Sequence, residues 1–331
     1  MTFPAAPEDA SVAVSIVNYR TVGMVISALP ALLVELEGLA RAAVLIVDNA
    51  SPGDDADRLE AHVAAEGLGA RVRVIRSLRN GGFAAGNNLA FAACRDLGWT
   101  PDAVMLLNPD AEMRPGALRE LLAVMAAGPR IGVVGARLER SPGSGWTAAF
   151  HFPSIMGEFA RGTGIGVISR RWPVLIDAPA GPVRADWVTG AAMLVRREML
   201  DDVGGMDEGY FLYFEEVDFM LKAARAGWET WHAPDARVLH VPGGATGMMD
   251  GRPRQGPMPD YWFDSWRRYF TENHGSARAR LAATAKLAGL LIGEAHRMLR
   301  RRPRNLPPGF IATFARRCLL GVEGGRDVRP G

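Results

Sequence analysis

Three carboxylates within four residues, Glu215, Glu216 and Asp218, directly follow an aromatic run at 210–214. Burial raises the pKa of a carboxyl group, and a like-charged neighbour raises it further, which is how a general base is tuned to work near neutral pH. The same residues also suit the solvated first turn of a helix, because acidic side chains favour that position and Asp218 has Lys222 one turn later. On this segment alone the catalytic and the structural interpretations both remain open.

Polar side chains also follow two short apolar runs earlier in the chain. Asp48 and Asn49 come after the first of these and offer a carboxylate and an amide to a ribose or a base edge. Asp110, with Asn108 beside it, comes after the second and suits Mg²⁺ or Mn²⁺, since hard cations bind through one or two carboxylates together with substrate phosphates. At both places a turn that caps the next element is the plainer alternative.

A glycine-rich loop, RNGGFAAGNN, occupies 79–88 and runs into a helical pattern. Glycines let backbone N–H groups approach a phosphate at a helix N-terminus. The loop matches neither GxGxxG nor the Walker pattern, so a plain turn remains an alternative. His240 follows a strand-like run and precedes a Pro-Gly-Gly segment, and a lone histidine is more often structural than a ligand.

The elements that must position these residues alternate between strands and helices over the first 140 residues. This alternation predicts an α/β protein with a mostly parallel sheet that is covered on both faces. Ligands of such sheets bind beyond the carboxyl ends of the strands, where Asn18, Asp48 and Asp110 fall. The predicted strands are 12–17, 44–47, 71–76, 104–107 and 131–136, and the predicted helices are 21–37, 55–66, 84–97 and 115–127.

The rest of the chain divides into three parts. Residues 141–185 are rich in Gly, Pro and Arg and predict a long excursion over the site, whereas 186–241 form a second structured block. From 261 the pattern is helical, and aromatic residues lie beside arginines. This mixture suits a bilayer interface with anionic headgroups, a homodimer interface or core packing. The aromatic residues are Tyr261, Trp262, Phe263, Trp266, Tyr269 and Phe270.

Composition narrows the class of protein. The 331 residues are 48% hydrophobic and 22% charged with a net charge of +2, so the charge balance gives no reason to expect a nucleic-acid partner. Cys94 and Cys318 lie far apart in no metal-type spacing, which predicts two buried thiols in a cytoplasmic setting. Glu8 and Asp9 stand where a signal peptide would be positive, and no apolar run reaches the roughly 18 residues that span a bilayer.

Taken in order, seven blocks of this sequence resemble glycosyltransferase family 2, and within it the bacterial rhamnosyltransferase-type subgroup. The resemblance covers about residues 11–246, and seven ordered blocks are far more specific than any one motif. The blocks are VSIVNYR at 14–20, VDNASPGD at 47–54, RNGGFAAGNN at 79–88, LLNPDAEMRPGAL at 106–118, WVTGAAMLVRREML at 187–200, VGGMDEGYFLYFEEVDFMLKAARAG at 203–227 and APDARVLHVPGGAT at 233–246.

The resemblance implies a GT-A fold, in which a Rossmann-like, mostly parallel sheet is flanked by helices. It implies a domain over 1–250, with a nucleotide-binding half at about 11–140 and an acceptor half at about 186–246, and then a C-terminal helical extension over 251–331. The implied activity is transfer of a sugar, with inversion, from a dTDP- or UDP-linked donor, dTDP-rhamnose among them. The implied acceptor is a hydroxyl of a glycan or of a polyprenyl-diphosphate-linked sugar at the cytoplasmic face of the inner membrane.

Matching positions give the site residues implied roles. Glu216 falls at the general-base position with Glu215 beside it, and Asp110 and His240 fall at the positions that bind Mg²⁺ or Mn²⁺. The positions bordering the sugar and the acceptor are Trp187, Thr189 and Gly190, and those of the donor nucleotide are Asn18, Asp48, Asn49, Asn80, Gly81, Gly82, Asn87 and Asn108.

Two positions depart from the family pattern. Asn108 stands where the metal motif usually has a second acid, and Glu216 stands where Asp is common, so its carboxylate reaches one methylene further. Two other classes of protein are alternatives. A non-catalytic sugar-nucleotide-binding scaffold would not need the intact Glu216. A sugar-nucleotide pyrophosphorylase usually has a basic glycine-rich loop after its first strand, where this chain has Asn-Tyr-Arg-Thr.

Overall fold

A computed structural model describes residues 3–141, 143–146, 148–176, 181–240, 256–303 and 306–322. The strands are β1 Ser11–Asn18, β2 Arg41–Asp48, β3 Val72–Arg76, β4 Ala103–Leu107, β5 Ala111–Met113, β6 Ile131–Glu139, β7 Gly145–Trp146, β8 Ala149–Phe150, β9 Val183–Ala185, β10 Trp187–Val188, β11 Ala192–Arg196 and β12 Glu229–His240. The α-helices are α1 Val22–Glu35, α2 Asp55–Ala65, α3 Gly82–Ala93, α4 Ala117–Ala126, α5 Ile155–Thr163, α6 Gly166–Arg171, α7 Arg197–Val203, α8 Glu215–Arg225, α9 Asp260–His274, α10 Ser276–Leu299 and α11 Phe310–Phe314.

The central sheet has the strand order β3, β2, β1, β4, β11, β6, β12, β5. Strands β1 to β4 are parallel to one another and β6 is parallel to β12, whereas β11 runs antiparallel between β4 and β6. The predicted mostly parallel sheet is therefore confirmed. Because the carboxyl ends of β1, β2 and β4 meet at one edge, Asn18 and Asp48 lie in register there.

Alternation along the strands covers both faces of the sheet. On β1, Val14 and Ile16 pack into a core shared with α1, α2 and α4, and Ala13 faces a second core shared with α3, α7 and α8. Successive side chains of a strand point to opposite faces, so a strand buried on both sides reads as an unbroken apolar run. This is why the early strands could be predicted.

Residues 141–185 hold more structure than their weak periodicity predicts. Helix α5 begins at Ser154, whose Oγ accepts a hydrogen bond from the Gly157 N–H at 3.0 Å. It packs backbone to backbone on α10, where a Cβ on Gly162 would lie 2.8 Å from the Lys286 carbonyl oxygen and a Cβ on Gly289 would clash with the Phe159 carbonyl. A contact built from glycines leaves no hydrophobic pattern, and for that reason the sequence did not predict it.

The C-terminal helices pack on the rest of the fold. Phe263, Trp266, Tyr269 and Phe270 are at most 2% exposed and share a core with Tyr210. For these four residues core packing is confirmed and the bilayer interpretation is wrong, because their rings are not at the surface. The expected division at residue 250 lies within 241–255, outside the described residues.

Two further expectations concern the chain as a whole. Cys94 and Cys318 are buried free thiols, as predicted. None of the helices among the described residues is long and apolar enough to cross a bilayer.

Candidate active site

The carboxyl end of β1 is held by a buried network around Asn18. Its amide Nδ2 donates to Asp48 Oδ1 at 2.8 Å and to Asp55 Oδ2 at 3.1 Å, and its Oδ1 accepts from the Thr21 hydroxyl at 2.9 Å. Asp48 in turn accepts from the Ser51 N–H at 3.2 Å. Asn18 is fully buried, so its geometry is that of a support that orients Asp48 rather than of a group that faces a ligand.

Asn49 joins the end of β2 to the glycine-rich loop. Its Nδ2 donates to Asn80 Oδ1 at 3.1 Å and to the Gly82 carbonyl at 3.0 Å, and its Oδ1 accepts from the Gly81 N–H at 3.4 Å. Asn80 also accepts from the Gly82 N–H at 3.1 Å. Asn87 lies behind the loop, where its amide bonds the Ser15 hydroxyl and the Phe83 carbonyl. The loop is thus a fixed, cross-linked turn, and of these asparagines only Asn80 is not fully buried.

Gly82 brings this loop against the segment that precedes the acidic helix. Its φ is +83°, and a Cβ there would collide with the Phe211 carbonyl oxygen. The next N–H, that of Phe83, donates to the same carbonyl at 3.1 Å. Only glycine allows both this φ and this approach. The glycine-rich loop and the acidic segment, more than 120 residues apart in sequence, are therefore parts of one site.

Two consecutive aromatic residues in the left-handed region introduce α8. Tyr213 has φ +71° and Phe214 has φ +69°, a conformation that costs bulky side chains about 1–3 kcal/mol each. Packing on α9 holds them, since Phe214 lies 5.6 Å from the Tyr269 ring and the Ser265 hydroxyl donates to the Leu212 carbonyl at 3.0 Å. This bend sets the direction in which the first turn of α8 presents its carboxylates.

Glu215 and Glu216 are the first two residues of α8, and each has a buried Oε2 without a hydrogen-bond partner among the described residues. Burial raises the pKa of Glu216 to about 7, against opposing hydrogen bonds from backbone N–H groups. Burial also raises the pKa of Glu215 well above its usual value, and the charge of Glu216 raises it further. Both carboxyl groups are therefore harder to ionise than a free glutamate, and a charge on Glu216 disfavours a second charge on Glu215.

Asp218 has a different role, as the residue that fixes α8 in place. It pairs with Lys222 at 2.7 Å and accepts from Asn273 Nδ2 of α9 at 2.6 Å and from the Tyr210 hydroxyl at 3.3 Å. The structural interpretation of Asp218 is confirmed. Asn273 was not singled out in the sequence, because nothing local connects it with a helix 50 residues earlier.

The loop that follows β10 lies directly against Glu216. A Cβ on Gly190 would sit 3.8 Å from Glu216 Cβ and 3.0 Å from Phe83 Cε1. The next residue, Ala191, accepts a hydrogen bond from the Asn108 N–H at 2.8 Å through its carbonyl. A continuous set of contacts thus connects the Asn108 turn, the Thr189–Gly190 loop and Glu216.

Trp187 forms a rigid wall at the start of this loop. Its indole Nε1 donates to the His151 carbonyl at 3.1 Å, and its ring stacks on Phe150 with centroids 4.2 Å apart. Thr189 lies between this wall and Gly190, and its Oγ1 accepts from the Ala191 N–H at 3.4 Å.

Asp110 and His240 lie side by side, with His240 Nε2 3.2 Å from Asp110 Oδ1. The antiparallel pairing of β5 with β12 causes this, since it sets His240 opposite Ala111. The approach of His240 Nε2 does not have hydrogen-bond geometry, so Asp110 Oδ1 is buried without a hydrogen bond among the described residues, as is His240 Nδ1. The described residues contain no group of three His, Cys, Asp or Glu side chains that are placed to hold a metal ion by themselves. One carboxylate and one imidazole fit a hard divalent cation that takes its other ligands from a substrate diphosphate and water.

Comparison with known protein families gives one match that covers most of the chain. A family model described as glycosyltransferase like family 2 matches residues 9–253. This range contains every residue to which the sequence gives a role in catalysis or in binding the donor, acceptor or metal, whereas the supporting residues Ser265, Tyr269 and Asn273 of α9 lie outside it.

Curated relatives match parts of the chain. One relative is N-acetylglucosaminyl-diphospho-decaprenol L-rhamnosyltransferase of Mycobacterium tuberculosis, to which the chain is 33% identical over 159 residues. The aligned region covers 45% of this chain and 50% of that protein. Another relative is rhamnosyltransferase WbbL of Escherichia coli, to which the chain is 38% identical over 55 residues. That aligned region covers 17% of this chain and 21% of that protein. The chain thus spans about half the length, or less, of these relatives.

Among solved structures, the fold is similar to mannosyltransferase PcManGT from Pyrobaculum calidifontis, whose structure contains GDP-Man and Mn²⁺. The TM-score is 0.54 at 14% identity, and the match covers 91% of this chain and 79% of the other. At that identity the likeness concerns the fold alone, and it agrees with the predicted GT-A architecture.

Proposed function

The chain belongs to glycosyltransferase like family 2, and on that premise we propose that it is an inverting glycosyltransferase with Glu216 as its general base. The observation that carries the proposal is the buried Glu216 carboxylate. It has a pKa raised to about 7 and lies beside the Gly190 loop. A scaffold protein or a pyrophosphorylase would have no use for such a group at this position.

The proposed reaction is a single displacement. Glu216 takes the proton of an acceptor hydroxyl, whose oxygen attacks the anomeric carbon of the donor from the side opposite the diphosphate. The new glycosidic bond forms as the bond from the anomeric carbon to the diphosphate oxygen breaks, so the configuration inverts. Protonated Glu215 adds no second negative charge beside the base. Trp187 and Gly190 border the acceptor.

The donor is proposed to lie along the strand ends. Asp48, supported by Asn18, is suited to the nucleoside. The loop of Asn80, Gly81 and Gly82, supported by Asn49, is suited to the diphosphate. Asp110 and His240, with Asn108 beside them, would hold Mg²⁺ or Mn²⁺. Such a cation supplies Lewis-acid stabilisation of the negative charge that builds on the departing diphosphate. The structure of PcManGT, which has a similar fold, contains Mn²⁺, and this supports the use of a divalent cation.

A donor screen tests the proposed function. The protein is incubated with dTDP-rhamnose, UDP-galactose, UDP-glucose and UDP-N-acetylglucosamine in Mg²⁺ or Mn²⁺, and release of nucleoside diphosphate is measured. We expect release from one donor, and dTDP-rhamnose is the first candidate because two relatives are rhamnosyltransferases. Donor binding without release would favour the scaffold alternative, and chemistry that consumes pyrophosphate would favour the pyrophosphorylase.

The acceptor is proposed to be a lipid-linked glycan at the cytoplasmic face of the membrane. The mycobacterial relative is named for a diphospho-decaprenol substrate. In this chain, α10 exposes one apolar face with a heptad-like spacing, although its other face is buried. The exposed residues on that face are Leu281, Thr284, Ala288, Leu291, Ile292, Ala295, Met298 and Leu299.

Charge favours an anionic bilayer over a second copy of the chain as the partner of this face. Arginines occupy both ends of the helix, at 278 and 280 and again at 297 and 300–302, and Glu294 is the single acid within α10. Two copies packed through α10 in either direction would bring arginines against arginines. Anionic headgroups would instead attract them, by about 1 kcal/mol for each residue near the surface.

Vesicle flotation tests the membrane contact. We expect the protein to float with phosphatidylglycerol-containing vesicles and a double variant, Leu291→Glu with Met298→Glu, to stay in solution, because both side chains are more than half exposed and can change without disturbing the core. Val34→Glu, an exposed apolar position on α1, is the control and should float normally. Equal flotation of the double variant would remove α10 as the contact.

A further inference from the structure

A pocket of about 270 Å³ lies between α5, α6 and the antiparallel pair of β8 and β10. Its lining includes Arg161, Arg171, Trp172, Trp187 and Glu158. Of these five residues, only Trp187 has a role that the sequence implies, at the border of the sugar and the acceptor. The others belong to the segment 141–185 that resembles no family block.

The pocket opens next to the proposed acceptor wall. Trp187 is common to both, and it lies three residues before Gly190, which contacts Glu216. Three residues of extended chain span at most about 11 Å, so one sugar residue with a phosphate on its anomeric oxygen can reach from the base to the pocket. The Trp187 ring is held by Phe150 and by the His151 carbonyl, and this wall is therefore rigid.

Among the described residues, the lining carries more positive than negative charge. Glu158 is already paired with Lys286 and accepts from Trp266 Nε1 at 2.9 Å. Burial alone would raise the pKa of Glu158, but attraction to Lys286 and Arg161 brings this pKa below its usual value. The carboxylate is therefore ionised, and Lys286 of α10 balances its charge. Arg161 and Arg171, at the rim, have no carboxylate within ion-pair distance among the described residues.

We propose that this pocket binds the diphosphate end of the acceptor, with Arg161 and Arg171 as its phosphate ligands. Guanidinium groups pair with phosphate oxygens through two parallel hydrogen bonds, and the faces of Trp172 and Trp187 suit the apolar face of a sugar. The inference rests on the proposed function and narrows the acceptor to a sugar carried on a lipid diphosphate. A neutral glycan end would leave both guanidinium groups without an anionic partner among the described residues, although that of Arg171 also lies over the Trp172 ring.

Binding of a soluble acceptor analogue tests the pocket without requiring turnover. The probe is a short-chain prenyl-diphosphate-linked N-acetylglucosamine, titrated calorimetrically into the full chain. We expect Arg161→Gln and Arg171→Gln each to weaken its binding ~10-fold, the usual loss for a charge-assisted hydrogen bond. Arg170→Gln is the matched control, since it removes the same charge from the same helix at a position that does not line the pocket.

Two further titrations separate the outcomes. An uncharged octyl glycoside of the same sugar should bind the wild type and both pocket variants equally, and nucleoside diphosphate should bind all of them equally. The proposal would be overturned by any of three results. Both pocket variants could bind the probe as tightly as the wild type, Arg170→Gln could lose as much affinity as they do, or the wild type could fail to bind the probe. Failure of the proposed function would appear separately, as no release of nucleoside diphosphate from any donor.

Discussion

Replacing Glu216 with glutamine is expected to lower kcat by ~10²–10⁴-fold, the usual contribution of a positioned general base. Glutamine keeps the size of the side chain and cannot take the acceptor proton. The Glu216 Oε2 has no hydrogen-bond partner among the described residues, and the amide oxygen of glutamine can still accept from the backbone N–H groups of 216 and 217. Donor affinity should therefore stay near the wild-type value. Single-turnover rates and calorimetric titration of the nucleoside diphosphate measure the two quantities separately.

The neighbouring variant Glu215→Gln is the sharpest comparison. Since burial and the charge of Glu216 keep Glu215 protonated, an amide in its place changes little of the charge at the site. It should lose much less activity than Glu216→Gln. The reverse order of effects would assign the base to Glu215 and contradict the proposal.

The pH profile of the wild type gives a second readout of the same residue. Glu216 acts as a base only when ionised, and burial raises its pKa to about 7. The rate should therefore fall about tenfold for each pH unit below 7 and level off above it. A limb centred near pH 4 to 5 would mean that the base is not a buried carboxyl group.

Much of this arrangement could be predicted because its cause is local. The strands that end at Asn18, Asp48 and Leu107 are continuous apolar runs, and a turn residue follows each of them. In a parallel sheet, ends of this kind meet at one edge whatever the remaining topology. The resemblance to family 2 then supplied the pairing of Asp110 with His240, which spacing alone does not show.

The parts that could not be predicted depend on contacts between distant segments. The sequence predicts that Asn18 and Asn87 bind the donor nucleotide, but in the structure both amide groups form hydrogen bonds with other protein groups. The aromatic residues of α9 read equally well as surface or core, and their burial depends on Tyr210 and on α10. Helix α5 contacts α10 through glycines, which carry no hydrophobic signal. Apart from Phe83, which lies in α3 together with Asn87, these partners belong to other helices or strands than the residue that each of them explains.

Asp110→Asn is the second substitution for which we expect a large effect. It removes the carboxylate that lies 3.2 Å from His240 Nε2, and Asn108, where the family usually has another acid, offers no replacement charge. A cation at this place is worth several kcal/mol of charge stabilisation on the diphosphate, so turnover should fall on the order of 10²-fold or more. The variant should also bind Mn²⁺ more weakly in the presence of nucleoside diphosphate, as measured by electron paramagnetic resonance of free Mn²⁺.

The control for Asp110→Asn is Glu112→Gln. This change removes a carboxylate two residues away on β5, where the side chain is 42% exposed and pairs with Arg114. If the cation is held by Asp110 itself, Mn²⁺ affinity should fall only in Asp110→Asn, because a general loss of negative charge would weaken both variants alike. The Mn²⁺ affinity of His240→Asn should lie between those of the two variants, since this change removes the imidazole ligand and leaves the Asp110 carboxylate in place. Wild-type Mn²⁺ affinity in Asp110→Asn would show that the cation, if one is used, is held by other groups.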